Sequence, residues 1–323
     1  MVAWLLDGDA AIQLATRTRL LGEDGESVAC RTLRARVMTE GVVPEILATQ
    51  GADGHWGGPD RFYTAKYSGT VWNLIILAEL GADGTDERLR RAAEAVLADA
   101  QHPASGGFSM RRSRTVGGGL PSGVIPCLTG NLVFALVRLG MLDDPRVQAA
   151  IDWIVTYQRF DDGDGDPSGW PYDGFEMCWG RHSCSMGVIK ALKGLAEIPR
   201  ERRSAGVDAT IAAATEFLLV HHVHKRSHDL ARVSRPGWKR FGFPRMYQTD
   251  ALEILSVLTR LGCRDPRMDD ALDLVSSKRD EDGRWRLDDT FNDAFSVPIE
   301  ARGEPSRWVT LRALEVLGRL SPV

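Results

Sequence analysis

An all-helical protein built of repeated hairpins is what the 323 residues predict, and three observations carry that reading. A turn rich in glycine and ending in tryptophan comes three times: Gln50-Gly-Ala-Asp53-Gly54-His55-Trp56, Gln158 through Gly169-Trp170, and Lys278 through Asp282-Gly283-Arg284-Trp285. A weaker copy, Gln101 through Gly106-Gly107-Phe108, has phenylalanine in place of tryptophan. Long apolar stretches of helical period follow these turns, and amphipathic stretches with one charged face lie between them. Self-similarity at roughly fifty-residue spacing marks a repeat architecture. Hairpins that cannot each bury an apolar face alone must pack on their neighbours, as an open solenoid or as a closed ring.

Residues 1–49 read as an N-terminal helical extension and 50–323 as the repeats, together one domain over 1–323. The apolar helices are expected over 67–81, 127–140, 182–195, 248–262 and 308–317. Each is apolar around much of its circumference, as helices buried on more than one side are. Leu-Gly endings such as Leu80-Gly81 supply a helix stop, with glycine free to take the left-handed cap. The companion helices fall at 86–100, 144–157, 205–221 and 266–277, where one apolar stripe faces inward and charge faces outward. That makes about five hairpins.

With 43% hydrophobic and 26% charged residues, the chain has the composition of a soluble globular protein. A net charge of -4 argues against nucleic acid as the partner of the whole protein. The start, Met1-Val-Ala-Trp-Leu-Leu-Asp7-Gly-Asp9, has acids where a signal peptide has bases, so a cytoplasmic location is expected. The longest apolar run, around 71–80, is too short for a transmembrane segment. Five cysteines are an odd number that disfavours a disulfide framework and leaves metal binding, catalysis or burial.

The Gln50-x-x-Asp53-Gly54-x-Trp56 kind of turn resembles the repeat of squalene–hopene cyclases and of protein prenyltransferase β subunits, over nearly the whole chain from about Gln50 to Leu320. The resemblance implies an (α/α) toroid, with inner helices around a central cavity and outer helices encircling them. It implies an enzyme of the terpene cyclase and prenyltransferase-like kind, acting on an apolar or isoprenoid substrate in that cavity. A second protein subunit enters as an expectation too, because prenyltransferase β subunits work with a helical partner. The turns themselves are expected to be structural, with tryptophan stacking fastening adjacent hairpins.

In such a barrel the N-terminal ends of the inner helices share one mouth. Cys127, His182, Cys184, Asp250 and Trp308 sit at or just before these starts, and Cys178 lies one short turn earlier. Thiolate, imidazole and carboxylate are the usual zinc ligands, so Cys127, Cys178 and His182 are the expected set, with Cys184 or Asp250 as the fourth. The opposing reading has Cys127 and Cys184 as small buried apolar residues and His182 as a helix cap; Cys30 and Cys263 are expected to be packing residues.

Among related toroids, protein prenyltransferases and lanthionine cyclases use zinc to activate a substrate thiol. Cys178-Trp179-Gly180 is similar to the Cys-Tyr-Gly of lanthionine cyclases, whose adjoining Cys-His-Gly is missing here. In terpene cyclases an Asp of an Asp-x-Asp-Asp motif protonates an alkene. The corresponding Gln248-Thr249-Asp250-Ala251 holds one acid, which makes Asp250 the candidate acid, with His182 the other candidate catalytic group.

Two loops complete the reading. Asp161-Asp162-Gly163-Asp164-Gly165-Asp166 is acid-rich and is expected to be a plain turn rather than a cation loop. The connection over 221–246 carries four histidines and many cations. There Arg240 and Arg245 are candidates to hold an anion. Trp179, Trp238, Tyr247 and Trp308 are the aromatics expected to meet the substrate. The rival from another class is a non-catalytic toroidal binding protein whose metal is structural.

Overall fold

A computed structural model describes residues 1–174 and 176–320. Fourteen α-helices and two small two-stranded sheets make up its regular structure. The N-terminal part holds α1 (Val2–Leu6), α2 (Ala10–Ala15) running into a π-helical turn (Thr16–Leu20), α3 (Val28–Val37) and α4 (Val42–Ala48). The five apolar helices are α5 (Thr70–Glu79), α7 (Pro126–Arg138), α10 (Ser185–Leu195), α12 (Ala251–Arg260) and α14 (Arg307–Leu320). Four amphipathic helices alternate with them: α6 (Glu87–Asp99), α8 (Pro145–Tyr157), α11 (Ala205–Val220) and α13 (Asp269–Ser277). A short α9 (Glu176–Trp179) precedes α10.

All ten residues of α5 are buried, as its all-round apolar sequence requires. Each amphipathic helix packs on the apolar helix before it, α6 on α5, α8 on α7, α11 on α10 and α13 on α12. The apolar helices pack on one another in chain order, from α5 through α14, and α14 also meets the π-helical turn. Arg312 of α14 reaches Glu79 at the end of α5 at 2.8 Å, so the last apolar helix is tied to the first. The closest approach is between α7 and α10, because glycine faces backbone at both contacts. A Cβ on Gly130 would lie 2.3 Å from the Lys190 carbonyl carbon, and one on Gly194 would lie 2.7 Å from the Gly130 oxygen.

Three of the turns make the same bonds. The backbone N–H of Trp56, Phe108 and Trp285 donates to the hydroxyl of Thr70, Thr129 and Thr310, at 3.1, 3.0 and 2.9 Å, each threonine on the first turn of the next apolar helix. The indole N–H of Trp56 donates to the Ile46 carbonyl and that of Trp285 to the Val275 carbonyl. Gln50 and Gln101 each bridge their own turn to the start of the following amphipathic helix, through the Arg88 and Arg146 carbonyls. The turn ending at Trp170 differs. Trp170 is 39% exposed and its indole donates to the Pro121 carbonyl, while the Gln158 side chain bonds only the neighbouring Arg159 carbonyl among the described residues. The extra length of residues 158–184 goes instead into a surface loop system.

A second repeated device was not apparent from the tryptophan turns. Asp86-Glu87-Arg88, Asp144-Pro145-Arg146 and Asp265-Pro266-Arg267 start three of the amphipathic segments. In each, the Asp caps the N–H of the Arg two residues on, and the Arg side chain returns to the same carboxylate. The caps satisfy N–H groups that have no partner inside the helix.

Candidate functional site

The acid-rich loop expected to be a plain turn and the histidine-bearing connection after α11 come together at the candidate site. Arg159 grips both oxygens of Asp161 at 2.7 Å and also donates to the carbonyls of Gly180 and Arg181. That clamp, with the Ser183 N–H on the Asp161 carbonyl, lays 159–163 alongside 180–183. Asp162 and His182 become bridge partners. Gly163 lets them approach: its φ is +103°, and a Cβ there would lie 2.4 Å from the His182 ring. From the other side come His221, at the end of α11, and His228, in the turn between β1 (Lys225–Arg226) and β2 (Asp229–Val233).

Three imidazoles therefore face one carboxylate. His182 Nδ1 lies 3.6 Å and His221 Nε2 3.3 Å from Asp162 Oδ1, and His228 Nε2 lies 3.6 Å from Oδ2. None of the three pairs makes a hydrogen bond. Metal bonds of about 2.0–2.2 Å at a tetrahedral angle hold donor atoms about 3.3–3.6 Å apart. The ligand atoms of Asp162, His182 and His228 all fall within 4.8 Å of one another, the one such group of three His, Cys, Asp or Glu among the described residues.

His221 adds an electrostatic argument. Its Nδ1 is 2.8 Å from the Phe217 carbonyl, which can only accept, so Nδ1 carries the proton. In the neutral ring Nε2 then presents a lone pair to a carboxylate oxygen. Two lone pairs at that distance repel unless a proton or a cation is shared between them.

Of the four expected metal ligands, this arrangement uses His182 alone. Cys127 and Cys178 stand side by side instead; the Cys178 thiol and burial push the Cys127 thiol well above its ordinary range. Burial also raises Cys184, whose next influence is Cys127. No group of three ligand atoms includes these cysteines among the described residues, so the structure does not assemble the expected cysteine site. The reason is local: the clamp by Arg159 swings His182 outward to Asp162, leaving its side chain 63% exposed and the thiols on the inner side.

Asp250 is a helix cap. Its oxygens accept from the N–H groups of Glu253 and Gly242 at 2.8 and 3.0 Å, and Arg245 Nε stands 3.3 Å away. Burial raises its carboxyl and Arg245 works against that rise. With 1% of the residue exposed and both oxygens taken, it is not presented to a substrate as an acid would be. Arg245 is likewise buried, its Nη atoms donating to Asp289 and the Thr249 carbonyl and its Nε beside Asp250 without a hydrogen bond among the described residues, whereas Arg240 lies exposed on the surface. They do not form an anion clamp.

Trp179, Trp238 and Trp308 are packed into the core, Trp308 stacked on Phe243 at 4.5 Å. Tyr247 alone of the expected aromatics is half-buried, beside Tyr67 and Trp72 with Lys66 over its ring at 4.5 Å.

The other finding is charge where the apolar helices end. Lys190 bonds Glu253 at 2.6 Å, Lys193 bonds Glu253 and Glu79 at 2.9 and 2.5 Å, and Arg312 bonds Glu79. All five side chains are buried. Next to them a pocket of ≈ 270 Å³ is lined by Arg19, Arg138, Arg260, Arg319, Glu197 and Glu315 among others. Burial holds Lys190 down to about 8, against the pull of Glu253. Glu253 itself is driven to about 2, the lysines overcoming its burial.

Sequence reasoning passed over these groups although a signal existed. Glu79, Lys190, Lys193, Glu253 and Arg312 interrupt otherwise apolar helices, where a charge must find a partner.

No family model matches the chain, and no curated protein does. Among solved structures it is similar to a protein from Actinoplanes, with 16% identity and a TM-score of 0.32 over 86% of this chain and 96% of that one, a likeness too distant to carry an argument.

Proposed function

We propose that the chain is a metal-dependent enzyme on an (α/α) toroid, with a first-row divalent ion, zinc the first to test, held by Asp162, His182 and His228. The observation that carries it is the pair of imidazole nitrogens, of His182 and His228, each 3.6 Å from an oxygen of one carboxylate without a hydrogen bond, with the three ligand atoms within 4.8 Å of one another. Two imidazoles and a carboxylate suit zinc and its neighbours. Three ligands leave coordination open, and the side chains of His182 and His228 are 63% and 72% exposed, so the open side faces solvent. That favours a catalytic over a structural ion. When bound, the ion supplies Lewis acidity toward an oxygen of the substrate; Asp162 and the two histidines fix its place, and Arg159 fixes theirs.

A polar substrate arriving from solvent fits this site better than an isoprenoid. The pocket where the apolar helices end is lined by ten ionisable side chains and offers no apolar chamber. No helix among the described residues is long and apolar enough to cross a membrane.

Cobalt titration of the full chain tests the assignment, with zinc competition giving the stoichiometry. One equivalent of cobalt is expected, with a visible spectrum free of thiolate charge transfer. Asp162→Asn and His228→Ala lose it, and Cys178→Ala keeps it. Thiolate bands, or loss confined to the cysteine variant, return the site to the thiols; absence of saturable binding of either metal ends the proposal.

A further inference from the structure

The pocket is built from the last turns of α5 and α7, the end of α10 and its following turn, α12 from Glu253 to Arg260, α14 from Arg312 to Arg319 and the π-helical turn. Every carboxylate in its wall is already paired. Glu79 is held by Lys193 and Arg312, Glu253 by Lys190 and Lys193, Glu315 by Arg19 and Arg319, and Glu197 by Arg260. The cations are not all paired. Arg138 makes no hydrogen bond among the described residues; the nearest carboxylate oxygen, on Glu79, is 4.0 Å away, and its guanidinium otherwise lies 5.5 Å from the Phe134 ring. Arg319 bonds Glu315 through Nη2, at 3.4 Å, but its Nη1 is buried with no partner among the described residues.

The wall thus holds six cations, Arg19, Arg138, Lys193, Arg260, Arg312 and Arg319, against four acids, Glu79, Glu197, Glu253 and Glu315. Burial lowers Arg138 and Arg319, and the neighbouring Arg19 and Arg260 add to both falls. The negative ends of the helices account for cations gathering here. They do not account for Arg319 Nη1, a buried donor left without an acceptor, or for the quarter-exposed Arg138 guanidinium left without a hydrogen bond beside the same open volume.

We infer that this pocket is a binding site for a small oxyanion, a phosphate or carboxylate metabolite, whose oxygens take the free donors of Arg138 and Arg319. Arginine presents a planar fork of N–H groups that matches both anions. A volume of ≈ 270 Å³ admits a compact ligand rather than a drug-sized one. The site is independent of Asp162. His182 precedes α10, and Lys193 lies close to its other end, about 16 Å away along a helix of 11 residues.

Calorimetric titration of the full chain with inorganic phosphate and with malonate, against chloride at matched ionic strength, tests the inference. Saturable one-to-one binding is expected for at least one of the two, and which binds tighter assigns the ligand to phosphates or to carboxylates. Arg138→Met is expected to weaken it at least tenfold. Ser256→Leu, which fills the pocket without touching the charges, is expected to do the same; Ser256 lines the wall. Arg200→Gln, on an exposed turn, and Asp162→Asn are expected to bind as the parent does. Binding no stronger than chloride, or binding undiminished in both pocket variants, overturns the site. Loss in Asp162→Asn would place the anion on the metal centre instead.

Discussion

Glu253→Gln removes one negative charge from the buried network while keeping the shape of the side chain. Lys193 retains Glu79 at 2.5 Å, so the loss falls on Lys190, which is wholly buried with Glu253 as its sole carboxylate partner among the described residues. The Glu253 carboxyl stands at about 2 where 4.5 is ordinary. At about 1.36 kcal/mol for each tenfold change in proton affinity, its ionised form contributes about 3 kcal/mol at neutral pH. Breaking a buried pair by removing one partner costs about 3–5 kcal/mol, so the two routes agree.

The folded-state value is depressed, so this contribution is complete above 4.5 and is lost as the pH falls toward about 2. Urea unfolding should show the variant about 3 kcal/mol less stable at pH 7, with a smaller gap at pH 3. Adding Lys190→Met removes the buried amine left without its partner, and the double variant should regain at least about 1 kcal/mol over Glu253→Gln. A single-variant loss below about 1 kcal/mol, or strictly additive losses, would show that the network is not carrying this charge balance.

Two further outcomes follow from the turns. Thr310→Val takes the acceptor from the buried Trp285 N–H, 2.9 Å away, and should cost about 1–3 kcal/mol in chemical unfolding; no measurable cost would mean the bond is incidental. Gly54 and Gly262 share a φ of +83°, but a Cβ at Gly54 would lie 2.7 Å from the Arg91 carbonyl oxygen while nothing lies within 4 Å at Gly262. Gly54→Ala should therefore lower the thermal midpoint well beyond Gly262→Ala, by at least about 1 kcal/mol when converted. Equal shifts would mean that only the backbone conformation matters at both.

The helices were legible because their signals are local. Apolar residues recur at helical spacing through α5 and α7, and Gly81 and Gly140 end them with φ of +75° and +82°. The tryptophan turns at Trp56 and Trp285 likewise announce their own role. The role of residues 158–184 is not legible locally, because their partner, the 221–228 segment, is remote in sequence and only folding brings His221 and His228 to Asp162. Proximity to a helix start suggested Cys127, Cys178 and His182 as one group; the sequence does not reveal that the Arg159 clamp turns the histidine away from the thiols. Asp250 was read as an acid for its position, yet a carboxylate just before a helix is first a partner for unpaired N–H groups.

The buried charges also bear on how five similar apolar helices find their order. Apolar faces alone discriminate weakly, since any of them can cover another. Here α5 brings a glutamate, α7 an arginine, α10 two lysines, α12 a glutamate with an arginine and α14 two arginines with a glutamate. Lys193 satisfies two helices at once, joining α10 to both α5 and α12, and Arg312 completes Glu79 from α14. An exchange of neighbours strands at least one of these groups, at about 3–5 kcal/mol, which is comparable with the lower end of the stability of a whole domain. Arg138 is the member that the native order leaves without a bonded carboxylate. A network that otherwise pairs every carboxylate and leaves that guanidinium open beside a pocket has kept it for a partner from outside the chain.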